Sequence, residues 1–333
     1  MNPVLRRPAA ARRCGHRRQS GVAVITALLI VALATLAVTG IMLRQQVQSR
    51  SVENQMSLAQ SRWLARGATD WARVMLIADG RTTSYDHNSD NWAIPVAETR
   101  VADADGGNDR GAYLSGRITD EQGKFNLLGL INDTGIDPAQ VMRAKRLFAS
   151  LNIDPAAVDA LAKALLETRP QRVLGDNNEI KQTVPAKRLP WLLIEDLRQL
   201  PQIDPDAVER LRPHAAFLPR NTDGTSPKIN ANTATAEVLH ATIDGMSMSQ
   251  AEQFVTQRDR IALLSEGDIQ NRLNILRVDQ PATQAGLLDV KSSFFRVQGR
   301  IRYERAFLSV EALVLRTRAG TSTNTRVLWT RES

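Results

Sequence analysis

Side chains able to do chemistry are sparse in this sequence. The one cysteine, Cys14, lies among arginines near the amino terminus, so the rest of the chain can build neither a disulfide nor a thiolate site. Beyond that region the histidines are His87, His214 and His240, widely separated. No G-x-S-x-G elbow and no phosphate-binding loop accompanies them, so neither a triad nor a zinc site can be assembled from familiar pieces, and no enzyme is expected. Asp137, Asp154 and Asp204 each stand in an Ile-Asp-Pro triplet before an apolar helical pattern. Aspartate there satisfies free amides and proline in the first turn loses no hydrogen bond, so these are helix starts and not catalytic acids. The feature that remains is the border between Gly21 and Val22. A basic stretch ends in Ser20-Gly21 and an apolar run begins at once. A residue without Cβ at such a border leaves the backbone open to close approach.

The element that presents this border is long. From Gly21 to Leu43 there is no charged residue. As a helix that stretch spans roughly 35 Å, enough to cross a hydrocarbon core of about 30 Å and longer than the apolar core of a cleaved secretory signal. Arg6, Arg7, Arg12, Arg13, Arg17 and Arg18 precede it with no acid among them, which assigns that end to the cytoplasm and the chain after Arg44 to the other side. The formal charge of +8 falls to +2 when these six arginines are subtracted, so the basic balance says little for a nucleic-acid partner.

No proline interrupts the chain from Val22 to Ala78, and Asp79-Gly80 supplies a stop. The expectation is a single helix over 22–79, half of it in lipid. Trp63, Gly67, Trp71 and Val74, spaced four, four and three residues apart, fall on one face and are expected to glue the helix to a sheet. Beyond it the texture is β near Asn91–Val96, then strand, turn at Asp120–Gly123 and strand over Ala112–Asn126. Two long alternating strands and a last one, Thr325–Arg331, close the chain. Between Leu127 and Val290 the pattern is helical, so a β-rich domain is interrupted by a helical one.

The glycine at the end of a basic leader, followed by a retained apolar helix, resembles the class III signal of type IV pilins and type II secretion pseudopilins. That resemblance implies cleavage after Gly21 by the prepilin peptidase, N-methylation of Val22, and retention of the apolar run as anchor. Counting Val22 as the first mature residue, the fifth is Thr26. Most members of these families carry glutamate there, thought to neutralise a neighbour's terminal amine inside the apolar core. The chain is identified as similar to the one class known for lacking it, the K-type minor pseudopilins of type II secretion (general secretion pathway protein K). The phrase "DEQGKFNLLGLIN" resembles that family's junction, here through Gly123, Phe125, Asn126 and Leu127, and "RLPWLLIEDLRQLPQIDPDAVERLRPHAAFLP" its helix-turn-helix unit.

The resemblance implies an α+β fold: a long N-terminal hydrophobic stalk helix, and a pilin-like antiparallel sheet with a large all-α domain inserted between its strands. The expected parts are a leader over 1–21, the stalk over 22–79, a pilin-like domain from 80–126 and 291–333, and an inserted helical domain over 127–290 of helix-hairpin-helix or SAM-like type. The implied role is to cap the periplasmic pseudopilus and initiate its assembly from the inner membrane. The implied partners are the I- and J-type minor pseudopilins, the prepilin peptidase and the inner-membrane secretion platform. The family's insert can bind calcium; in the corresponding loop, Glu167–Gln182, the ligands on offer are Glu167, Asp176 and Glu179, a thin set for an ion that wants six to eight oxygens. The alternative is a membrane-anchored helix-hairpin-helix protein binding DNA during uptake or in a type IV pilus system, suggested by "KINANTATAEVL". Its hairpin "TIDGMSMSQ" has one glycine and no basic residue, which argues against phosphate binding, and no nucleic acid is expected. In the K family the same phrase is a fold element, in which Asn230 and Asn232 would hold the turn and Thr233 would cap the helix.

Overall fold

The computed structural model describes residues 20–103, 111–174, 180–304, 306–320 and 322–333. One helix, α1, runs from Ser20 to Thr82, a little beyond the Asp79-Gly80 stop. The Thr82 hydroxyl closes it by donating back to the carbonyls of Ala78 and Asp79, at 3.2 and 3.0 Å. The chain forms two compact units, one ending at Ser57 and the other comprising Leu58–Ser333. In the first, the apolar side chains of α1 are exposed, and the helix is long and apolar enough to cross a membrane.

The second unit is built on a five-stranded antiparallel sheet. Its strands are β1 (Val96–Asp103), β2 (Gly111–Asp120), β3 (Phe294–Tyr303), β4 (Ala306–Ala319) and β5 (Ser322–Glu332), in the order β1-β2-β3-β4-β5. Period-two alternation gives the sheet two apolar faces. Phe295, Val297 and Val314 pack with Ala72 and Leu76 of α1 and with Trp92, while Ile301, Leu308 and Val310 meet Ala65. On the other face Phe294, Leu313 and Leu315 cluster with Ala216 and Leu218 of the insert.

One detail differs from expectation. Asn91–Ala93 is a short 3₁₀ turn, with β1 starting only at Val96. Trp92 is thereby turned into the core, edge-on to Phe295 at 5.2 Å between ring centres. Strand, turn and strand follow one another over Gly111–Asn126 as expected, but the two strands do not pair with each other. β2 takes β1 and β3 as partners, and Phe125–Asn126 pairs in parallel with Ala215–Ala216 of the insert. The turn residues Asp120–Gly123 send the chain into the next domain instead of back along its own strand.

Among the described residues, seven α-helices lie between β2 and β3: α2 (Pro138–Ser150), α3 (Ala157–Leu166), α4 (Pro205–Leu211), α5 (Ala236–Thr242), α6 (Met248–Arg260), α7 (Glu266–Ile275) and α8 (Pro281–Ala285), stitched by short two-stranded ladders. They enclose one core, including Leu147, Phe148, Leu161, Leu165, Val208, Leu239, Phe254 and Leu273. The Ile-Asp-Pro triplets act as helix starts. Asp137 accepts from the amides of Ala139 and Gln140, and Asp204 from that of Ala207. Asp154 binds the Ala156 amide one turn ahead of α3. The architecture is α+β: an N-terminal apolar stalk helix and an antiparallel sheet interrupted by a helix-rich insert.

Candidate functional site

The amino end of α1 carries the residues of the expected processing signal. Gly21 and Val22 lie in its first turn, and a Cβ added at Gly21 would meet nothing within 4 Å. The Thr26 hydroxyl donates to the carbonyls of Val22 and Ala23, at 3.1 and 3.0 Å. It is thus satisfied within its own helix and brings no charge to this position.

Further along α1, the face that meets the sheet is the opposite of the one expected. Ser61, Ala65, Thr69, Ala72 and Leu76 are buried. Trp63, Trp71 and Val74 are 70%, 49% and 63% exposed, and Gly67 beside them is exposed too. The reading of this stripe as glue for the chain's own sheet therefore fails for Trp63, Gly67 and Val74, while half-buried Trp71 lines a groove with Trp92, Leu114 and Val297. A helix lying close against a sheet favours short side chains at the contact, and here alanine, serine and threonine supply them. The bulky residues are left on the outer surface, where Arg66 lies over the Trp63 ring at 5.3 Å.

The third set of residues joins insert to sheet, and its chemistry is charge compensation in a dry setting. Arg316, on β4, is fully buried. It binds the carboxylates of Asp86 and, at 2.8 Å, Asp79, donates to the carbonyls of Leu76 and Ser292, and lies over the Phe295 ring at 4.5 Å. Asp86, equally buried, also accepts from the Ser292 amide at 2.7 Å and faces Arg318 at 3.3 Å. Asp79, Asp86 and Asp90 bring carboxylate oxygens within 4.8 Å of one another. The two arginines supply the positive charge here, and Asp90 is held by the His87 amide and the Trp92 indole N–H, so the group acts as a charge latch.

Beside it, the turn after β2 is bound residue by residue. Asp120 Oδ2 accepts from Ser292 Oγ and Thr233 Oγ1, both at 2.6 Å, and from Asn230 Nδ2 at 2.9 Å. Burial outweighs these donors and pushes the Asp120 carboxyl up to about 6. Glu121 pairs with Arg296 at 2.9 Å and with Lys124 at 2.7 Å. Burial holds the Lys124 ammonium below its ordinary value. Gln122 accepts from the amides of Ser293 and Phe294 and donates to the Lys228 carbonyl. At Gly123 a Cβ would come within 2.7 Å of Thr233 Oγ1 and 2.9 Å of its carbonyl carbon, so only glycine lets the insert's turn approach this closely. Asn126 exchanges hydrogen bonds with the backbone of Leu218.

The asparagines of "KINAN" hold the turn as expected: Asn232 exchanges two hydrogen bonds with the backbone of Leu263, and Asn230 reaches Asp120 and Ser292. The helix cap, however, is Thr235, which accepts from the Val238 amide; Thr233 gives its hydroxyl to Asp120. In the following hairpin Asp244 is bound by Arg146 at 2.5 Å and faces Arg143 at 3.6 Å, so the basic side chains there are turned to the protein's own carboxylate. Of the expected calcium ligands, Glu167 is paired with Arg188 at 2.7 Å, while Asp176 and Glu179 lie outside the described residues.

Comparison with known proteins settles the family. A type II secretion system protein K from Pseudomonas aeruginosa is 31% identical over 275 residues, covering 78% of this chain and 79% of its own. This chain belongs to the type II secretion system protein K family. Family models described as type II secretion system (T2SS), protein K, match residues 123–220 and 229–291. Another protein K, from Pectobacterium carotovorum, is 28% identical over 308 residues, 86% of this chain and 89% of its own. Among solved structures, a chain of the GspK-GspI-GspJ complex from the type 2 secretion system of enterotoxigenic Escherichia coli shares the fold. Its TM-score is 0.58 at 20% identity, over 85% of this chain and 99% of that one. As a protein K, the chain is a minor pseudopilin and a component of protein secretion, and its apolar helix fits an inner-membrane anchor.

Proposed function

We propose that this pseudopilin caps the distal tip of a periplasmic pseudopilus and initiates its assembly. The observation that carries the reading is the insert between β2 and β3, bolted to the sheet through Asp120, Asn230, Ser292, Asp86 and Arg316. A helix-rich body fixed rigidly to each head would clash if repeated along a tightly packed filament, so such a head suits a position with nothing above it. The work is assembly by packing and not catalysis. The prepilin peptidase would remove the leader from the cytoplasmic side, with the bulk of the chain in the periplasm. The I- and J-type minor pseudopilins would join the stalk and the pilin-like domain, a reading supported by the complex in which the structural neighbour was crystallised. The inner-membrane platform would receive the assembled tip. Calcium stays a proposal for the Glu167–Gln182 loop: Glu167, Asp176 and Glu179 would supply its carboxylates, and Arg188 would have to leave Glu167.

Immunogold labelling of overproduced pseudopili tests the cap. Label at one end of each filament is expected, and label along the shaft overturns it. The DNA-uptake alternative predicts a gel shift with duplex or single-stranded DNA; none is expected, because the hairpin carries no basic residue and the neighbouring arginines of α2, Arg143 and Arg146, face Asp244.

A further inference from the structure

The face of the sheet turned away from α1 meets the insert at one end, through Phe294, Leu313 and Leu315. Farther along β3 the same parity gives Arg296, Gln298, Arg300 and Arg302, since alternate residues of a strand share a face. Arg117 of β2 stands opposite Gln298, and Arg331 of β5 stands opposite Glu311 of β4. Two hollows open here, of about 500 and about 490 Å³, and Arg117 and Gln298 line both. The first adds Lys124, Arg212 and Arg296, and the second Arg300 and Arg331, so six cations line the pair. The carboxylates among the lining residues are Asp120 and Glu311.

Part of this charge is answered from within. Arg296 pairs with Glu121 and Glu311, Arg331 with Glu311, and Arg212 with Glu195 and Glu209. Lys124 shares Glu121 with Arg296. Arg117 and Arg300 are exposed and make no ion pair among the described residues. Arg117 gives its Nε–H to Gln298 Oε1 at 2.7 Å, which leaves the outer edge of its guanidinium open. Between them, Arg296 Nε is buried and has no hydrogen-bond partner.

We propose that this face binds an extended acidic segment of another polypeptide, whose carboxylates two residues apart seat on Arg117 and Arg300. Charge and spacing select that occupant. Arg117 and Arg300 are diagonal neighbours across β2 and β3, roughly 7–8 Å apart. Alternate residues of an extended chain fall on one side about 7 Å apart, so two such carboxylates reach both guanidinium groups. Arginine presents a fork that takes a carboxylate through two hydrogen bonds. Ser115 and Ser309 flank Arg300, and with Gln298 they offer neutral donors and acceptors to a peptide backbone. Ile118, Pro213 and Val96 add apolar lining, which suits a polypeptide better than a phosphate chain. The face lies away from α1 and serves whichever position the head occupies in a filament.

The test uses the full chain in detergent and a fluorescent peptide of alternating glutamate and serine, with its glutamine–serine counterpart as control. Anisotropy should show saturable binding of the acidic peptide, weakened by added salt, and none of the control. Arg117→Gln/Arg300→Gln should weaken binding by about tenfold or more. It should leave the melting temperature unchanged, because neither arginine is paired to a carboxylate within the fold. Arg81→Gln/Arg260→Gln removes the same charge from exposed positions elsewhere and should bind within about twofold of wild type. Wild type that does not bind the acidic peptide at about millimolar concentration overturns the proposal. So does an equal loss in the two double variants, which would mean that net charge alone attracts the peptide. A DNA duplex of matched charge that binds more tightly than the peptide overturns the choice of a polypeptide.

Discussion

The carboxylate of Asp120 and the side-chain amide of Asn230 meet at 2.9 Å, across the boundary between the sheet and the insert. Asp120 ends β2, and Asn230 opens the turn before α5. Ser292, the last turn before β3, donates to the same carboxylate oxygen. Three distant parts of the chain thus converge on one buried acid, and the rigidity of the head depends on it.

That acid should make stability depend on pH. Its folded pKa is raised from the ordinary 3.8 to about 6 by burial, so the folded protein takes up the proton more readily than the unfolded chain. The contribution is fully present below about pH 4 and is lost as pH climbs through 6. By about 1.4 kcal/mol per unit, the loss amounts to roughly 2–3 kcal/mol at most. Asp120→Asn removes the titration. Urea unfolding at pH 4.5 and 7.5 should show the wild type losing about 2 kcal/mol relative to the variant as pH rises. Parallel pH dependences would refute the assignment.

Arg316→Met should be severely destabilising. It leaves Asp86 buried without its main counter-charge, which costs about 3–5 kcal/mol. Adding Asp86→Asn should restore at least half of the loss, because the stranded charge is then gone. Denaturant unfolding of the two single variants and the double variant measures this coupling, and a single-variant cost under about 1 kcal/mol would show that the latch is not structural.

Much of this was legible in the sequence, and what was missed has physical reasons. The stalk, the Ile-Asp-Pro helix starts and the last three strands follow from periodicity and capping, which are local. The junction motif was visible as a phrase, but the reason for Gly123 is Thr233, more than a hundred residues away. The latch was missed although a signal existed: Arg316 continues the parity of Leu308, Val310, Ala312 and Val314, which points it at α1. Its partner Asp86 lies in a loop with no pattern to read. The stalk face was misassigned because size was taken as a sign of burial. Helical periodicity finds a stripe but does not say which side meets the sheet, and here the small residues do.

Processing should occur between Gly21 and Val22 and leave a methylated valine at the new terminus. Gly21→Leu should leave the leader attached, because a branched side chain keeps the peptidase from the extended backbone. The helix itself has room for that side chain, since a Cβ at Gly21 meets nothing. A processing defect would therefore report recognition and not misfolding. Mass spectrometry of the membrane-extracted protein decides it, and an intact leader on the wild type in cells with active peptidase would refute the site.

Placing a carboxylate at position 26 separates the electrostatic reason for the proposed tip position from the steric one. The Thr26 hydroxyl is spent on its own helix, so it offers nothing to the terminal amine of a neighbouring subunit. Glutamate there could pair with such an amine, and an unpaired charge in lipid is costly enough for that pairing to select position. The insert would still prevent stacking, so Thr26→Glu alone should stay at the tip. Removing the insert as well, by joining Asp120 to Ser292 through a short linker, should admit the protein to the shaft. The shortened chain keeps the core of Leu76, Trp92, Phe295, Val297 and Val314, but it opens Phe294, Leu313 and Leu315, which must be made polar to keep it soluble. Immunogold labelling of pseudopili should then show end label for Thr26→Glu and shaft label for the combined variant. Shaft label from Thr26→Glu alone would mean that charge, and not the width of the head, sets the position.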